Sequence, residues 1–122
     1  MRDIILVFTG GGIGSLLRYF FGKFFSAVIP TFPIATLLSN VSGSFILGIA
    51  FALFTNKTLG NNSWMFLAVG VCGGFSTFST FTLDNLQMIQ NGYYGSAILS
   101  IILNLSLCFI SLLAGMYLAK YF

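Results

Sequence analysis

Histidine and glutamate are absent from this chain of 122 residues, and aspartate occurs only as Asp3 and Asp84. Proton-coupled transport generally needs an ionisable relay inside the membrane. Asp84, near the end of an apolar stretch, cannot form one alone. Hydrolytic and redox chemistry are equally poorly served, since no nucleophile–base pair or metal cluster can be assembled. Cys72 and Cys108 are the only cysteines, and neither sits in a metal-ligand spacing such as C-x-x-C. Both read as small apolar packing residues. Charge is scarce as well: 6% of residues, against roughly 25% in soluble domains. What remains is a passive, membrane-embedded role.

The residues that are present say the same. Hydrophobic side chains make up 57% of the chain and mean hydropathy is +1.00. Roughly 20 apolar residues cross a bilayer as a helix, and the chain offers such stretches near 3–25, 33–55, 63–86 and 95–120. The expected fold is an all-α membrane protein of four transmembrane helices forming one domain over 1–122. Thr31-Phe32-Pro33 separates the first two spans, with Pro33 suited to a first helical turn. The clusters at 56–62 and 90–95 read as polar turns. The first span lacks a basic start of any length and contains G-G-G-I-G, so it reads as a span and not a cleaved signal.

The charges can be placed one by one. Four spans put both termini and the 56–62 loop on one side, with Arg2, Lys57 and Lys120; Lys23 and Arg18 fall on the other. Three against two is too small an asymmetry to fix orientation. Insertion in both senses, and with it an antiparallel dimer, follows naturally. Closed two-fold dimers are the commonest oligomers, and four helices alone leave little room for an enclosed polar path.

Small and polar residues interrupt the spans. Gly10-x-x-x-Gly14 and Gly11-x-x-x-Ser15 suit close helix packing; Leu17 stands where a phosphate-binding glycine motif needs its last Gly. Arg18 is too costly to face lipid and either snorkels to the interface or lines an anion-attracting vestibule. In the second span Asn40 carries an amide that is expensive at depth without a partner. It either bonds between helices or offers its NH₂ group to a permeating ion. Ser96, Ser100, Asn104 and Cys108 are four apart and share one face of the fourth span, which lines a path or joins helices.

The densest signal is Gly70 to Phe81, G-V-C-G-G-F-S-T-F-S-T-F. Helix-weakening Gly73 and Gly74 precede Ser76, Thr77, Ser79 and Thr80, whose hydroxyls compete for backbone groups. Irregular backbone at membrane depth is tolerated only where protein or a water-filled path covers it. The third span is therefore expected to break near its middle, at Gly73 and Gly74, freeing carbonyls that suit a small hard cation. Phe78 and Phe81 lie on adjacent parts of one face. Their rings either pack in the core or present positive edges to an anion.

This run resembles the signature of the Fluc or CrcB family of small bacterial fluoride channels. So do N-V-S-G-S-F-I-L-G at Asn40 to Gly48 and G-G-G-I-G-S-L-L-R-Y at Gly10 to Tyr19. Three ordered motifs make the resemblance specific, and it covers essentially the whole chain. It implies an antiparallel dual-topology homodimer in the cell membrane, with two pores lined by both subunits and passive export of fluoride down its gradient. Phe78, Phe81 and Asn40 match the pore residues, with Ser79 and Thr80 in the same polar part of the motif. Gly73 and Ser76 match the positions whose carbonyls hold a central structural sodium ion. Arg18 matches a vestibule arginine, and Asn104 a less securely aligned pore-lining position. The partners implied are fluoride, the lipid bilayer and a second copy, with no nucleic acid, and the chain is not an enzyme. Ser76 stands where the family often has Thr, which a carbonyl ligand tolerates. A small multidrug-type transporter also has four spans and dual topology, but requires a membrane-embedded Glu in its first span.

Overall fold

A computed structural model describes residues 1–25 and 31–121. The expected domain over 1–122 also includes 26–30 and 122, which lie outside the described residues. Helix α1 is Arg2–Phe25, with Asp3 in its first turn and Lys23 in its last, each complementing the helix dipole. Helix α2 is Ile34–Thr55; Pro33 precedes it as the flanking residue, and Asn56 follows. Its last turn is closed by Thr58 and Leu59, whose N–H groups both donate to the Leu53 carbonyl at 2.9 Å.

The third span, Asn61–Gln90, has two helical parts. The first, α3, opens as Asn61–Trp64, widens into π-type turns over Met65–Cys72, and closes as Gly73–Phe75. The second, α4, is Phe78–Gln90. Gly73 and Gly74 are both helical, so the chain does not break at the double glycine. It leaves the helix two residues later, where Ser76 (φ −77°, ψ 153°) and Thr77 (φ −152°, ψ 120°) are extended. A turn through Gly92 (φ +81°) leads into α5, Tyr94–Leu118, which ends in a short 3₁₀ turn, Ala119–Tyr121. The turns are narrower than the polar clusters: Asn61, Asn62, Gln90, Tyr94 and Gly95 are helical.

Why do the helices pack this way? Lipid offers no hydrophobic drive between helices, so close backbone approach carries much of the association. A Cβ on Gly10 would strike the Phe66 carbonyl, and one on Gly14 the Val71 carbonyl. From the other side, a Cβ on Gly70 would lie 2.9 Å from the Gly10 Cα, and one on Gly74 would meet the Gly11 carbonyl. So α1 and α3 touch backbone to backbone. Gly48 and Gly115 do the same for α2 and α5, against the carbonyls of Leu112 and Phe45. Ser15, by contrast, is exposed.

Among the described residues, four segments are long and apolar enough to cross a membrane. Large apolar side chains such as Ile4, Phe8, Phe24, Phe109 and Ile110 point outward, as a lipid-facing surface requires. The chain is a multi-pass membrane protein.

Candidate functional site

The polar groups of the spans converge where α3 gives way to α4. Leaving the helix at Ser76 frees the Thr77 peptide groups, which must find partners at membrane depth. Asn40 of α2 supplies both. Its Oδ1 accepts from the Thr77 N–H at 2.7 Å, and its Nδ2 donates to the Thr77 carbonyl at 3.3 Å. The second Nδ2 hydrogen goes to Asn104 Oδ1 at 3.0 Å, and Asn104 Nδ2 donates to the Ser100 carbonyl at 3.1 Å. Asn40, Thr77 and Asn104 are all buried. Both hydrogens of the Asn40 NH₂ group are engaged between helices in this protomer.

Thr77 also starts α4. Its Oγ1 accepts from the Thr80 N–H at 3.2 Å, satisfying one of the free donors of a helix N-terminus. The same hydroxyl lies 3.1 Å from Ser79 Oγ and donates to Thr80 Oγ1 at 3.1 Å. Ser76 turns back, its hydroxyl donating to the Cys72 carbonyl at 2.8 Å.

Two cavities meet this junction. A groove of about 450 Å³ is bordered by Asn40, Ser76, Phe78, Phe81, Asn104 and Cys108, among others. No charged side chain lines it. The other, about 320 Å³, brings Arg18 together with Thr36, Ser39, Thr77 and Thr80. A neighbouring cavity of about 370 Å³ shares Gly22, Ala35 and Thr36 with it and adds Asp84 and Gln87. Thr77 borders both inner cavities.

The expected site residues therefore sort by place. Asn40, Phe78, Phe81, Ser76 and Asn104 share the uncharged groove; Arg18 and Thr80 share the second cavity; Ser79 is exposed beside Thr77. Phe81 is 8% exposed and Phe78 is 76% exposed, with ring centroids 5.6 Å apart and planes at 44°. Phe75 packs: it is buried edge-on against Phe21 at 5.0 Å. Gly73 is exposed and lines none of these cavities. On the fourth span, Ser100 and Asn104 are buried and Ser96 and Cys108 half-buried; Asn104 both joins helices and lines the groove.

Sequence reasoning undervalued two features. Thr77 is the hub, and its signal was the N-cap hydroxyl at the start of an apolar helix. The pair Thr36 and Asp84 was also missed: the Thr36 hydroxyl donates to Asp84 Oδ2 at 2.6 Å, giving the half-buried carboxylate a partner.

The class is thus a small four-span membrane protein with a polar junction inside its third span and cavities on either side of it. Residues 5–116 match the family model described as CrcB-like protein, Camphor Resistance (CrcB). The chain is 39% identical over 122 residues to a protein from Sulfurihydrogenibium sp. (strain YO3AOP1) named fluoride-specific ion channel FluC, covering 98% of each. Proteins of the same name from Bacteroides fragilis (35% identical, 100% of this chain and 99% of the relative) and Pyrococcus furiosus (38%, 98% of each) are also similar. The chain belongs to the CrcB family.

Proposed function

We propose that this chain forms a fluoride-selective channel of the cell membrane that lets fluoride leave passively and lowers its cytoplasmic concentration. The observation that carries this reading is the groove holding Phe78, Phe81, Asn40 and Asn104 without a charged side chain. Fluoride is small and strongly hydrated, so a pore must replace its water with neutral donors and the positive edges of aromatic rings. The printed names of the relatives support the same ion.

The groove is open and Phe78 is exposed, which suits a pore completed by a second, antiparallel copy, with two such pores per homodimer. Ser79 and Thr80 add hydroxyls near the pore, and Arg18 draws anions toward it.

The residues present also fit a structural sodium ion. In an uninterrupted helix the Thr77 N–H would bond the Gly73 carbonyl, but here it is taken by Asn40. That leaves the carbonyls of Gly73 and Ser76 as hard oxygen donors, the kind a small hard cation prefers. No cluster of three His, Cys, Asp or Glu side chains occurs among the described residues. Gly73 and Ser76 of two copies would hold the ion, which would tie the two junctions together.

Purified protein in liposomes tests the proposal. Fluoride should leave passively while chloride is retained, and Phe78→Ile or Phe81→Ile should abolish the flux. Fluoride movement that requires a proton gradient, or no movement, would overturn it. Reporters fused to the C-terminus should be found on both sides of the membrane.

A further inference from the structure

Two side-chain oxygens in the bundle have no hydrogen-bond partner among the described residues: Asn85 Oδ1 and Ser100 Oγ. Asn85 is 6% exposed and Ser100 0%. Neither side-chain oxygen takes part in the junction at Thr77, where Ser100 contributes only its carbonyl, accepting from Asn104. An orphaned buried polar group is costly, so two together call for an account.

The Asn85 amide cannot be relieved by turning over. Its Nδ2 donates to the Phe81 carbonyl at 2.7 Å, and an exchanged amide would set two oxygens against each other. Oδ1 is thus fixed as an acceptor in need of a donor. The Ser100 hydroxyl can both donate and accept, and it makes no bond back to its own helix.

The α4–α5 hairpin brings the two to one level. Tyr93 N–H donates to the Met88 carbonyl at 2.8 Å across the turn. Counting from the groove that Phe81 and Asn104 both line, four residues toward the turn on each antiparallel arm places Asn85 opposite Ser100, and three more place Met88 opposite Ala97. Met88 and Ala97 are both buried, and Phe81 and Asn104 line one groove. Asn85 itself borders a groove with Ile101 and Leu105 of α5, so its side chain lies on the α5 side. No direct hydrogen bond joins Asn85 to Ser100.

The geometry points to a bound water between α4 and α5 that donates to Asn85 Oδ1 and bonds the Ser100 hydroxyl. Buried waters typically make about three hydrogen bonds to groups otherwise unsatisfied. A single water is also the smallest ligand that offers a donor to the amide oxygen and an acceptor to the hydroxyl. It would link the two arms of the hairpin beside the Asn85 amide that holds the Phe81 carbonyl.

A density map of the intact purified protein in lipid, at a resolution that shows buried waters elsewhere in the bundle, tests this. The expected result is a peak within about 2.6–3.2 Å of both Asn85 Oδ1 and Ser100 Oγ. An empty site, a peak touching only one of the two, or a direct Asn85–Ser100 hydrogen bond would overturn the inference. A double-mutant cycle of Ser100→Ala and Asn85→Ala adds a thermodynamic reading. Linked through one water, the two losses in melting temperature should be clearly non-additive; strictly additive losses would count against it. Should either variant fail to fold, the map of the unmodified protein still decides.

Discussion

The Asn40 side chain clamps the Thr77 peptide from both ends, accepting from its N–H at 2.7 Å and donating to its carbonyl at 3.3 Å. A side-chain amide here takes the place of the helical neighbours that Thr77 gave up. Replacing Asn40 by Leu removes the clamp and the bond to Asn104 at one stroke. A single interhelical hydrogen bond in a membrane protein averages only about 0.6 kcal/mol. This change, however, strands a buried N–H, a buried carbonyl and Asn104 Oδ1, at about 1–3 kcal/mol for each orphaned group. Asn40→Leu is therefore expected to cost about 3 kcal/mol or more, and to abolish flux. Thermal unfolding in detergent and liposome efflux measure the two; a variant as stable as the parent contradicts the clamp.

Thr77 holds α4 through its hydroxyl as well as its backbone. Thr77→Val keeps the β-branched shape and both peptide groups but loses the bond from the Thr80 N–H. N-cap losses are about 0.5–2 kcal/mol, so the expected drop in stability is modest. Amide exchange should quicken over the first turn of α4 more than elsewhere. Thr77→Ser should restore both readouts.

Phe78 and Phe81 separate packing from ion chemistry because their burial differs so sharply. Phe81→Ile alters a buried site and should cost about 1–2 kcal/mol. Phe78→Ile, on an exposed ring, should leave the stability of the protomer nearly unchanged. Both should lose fluoride flux. Were flux to fall only in step with stability, the rings would be packing elements and nothing more.

Much of this was legible in the residues, for physical reasons that can be named. The spans follow from long apolar runs. Gly10 and Gly14 were readable as packing residues because the spacing of four puts both on one face. Asn40 stood out because its amide is costly at depth. Which partner would relieve that cost was not readable, since Thr77 and Asn104 lie on other spans and their approach depends on helix crossing. The interruption was misplaced for a related reason. Propensity favours a break at Gly73 and Gly74, yet the missing Cβ of Gly74 serves its close approach to Gly11. The extended backbone at Ser76 and Thr77 instead belongs to the Asn40 clamp, a tertiary effect that overrides local preference.

Arg18 shares its cavity with Thr77 and Thr80, so its charge should raise the local anion concentration at the approach to the junction. Arg18→Gln is expected to slow fluoride efflux on the order of two- to tenfold at low ionic strength. The Debye length is about 10 Å at 0.1 M and about 3 Å at 1 M, so the deficit should shrink as an impermeant salt is added. A deficit independent of salt would mean that Arg18 acts by contact and not through its field.

The glycine crossing between α1 and α3 gives the sharpest test of the fold. A Cβ on Gly14 would meet the Val71 carbonyl and lie 2.8 Å from the Phe75 nitrogen, whereas nothing lies within 4 Å of one on Gly95. The obstacles at Gly14 are backbone atoms of a neighbouring helix, which cannot rotate aside as a side chain would. Gly14→Ala must push α1 away from the very residues that lead into the junction. Overpacking of this kind costs about 1–3 kcal/mol, and flux should fall with it because Phe75 and Ser76 move. Gly95→Ala makes the same chemical change on an open helix surface, where Ala is favoured over Gly by up to about 1 kcal/mol. Its melting temperature should hold or rise while flux is retained. Equal behaviour of the two variants would mean that α1 and α3 do not meet through their backbones.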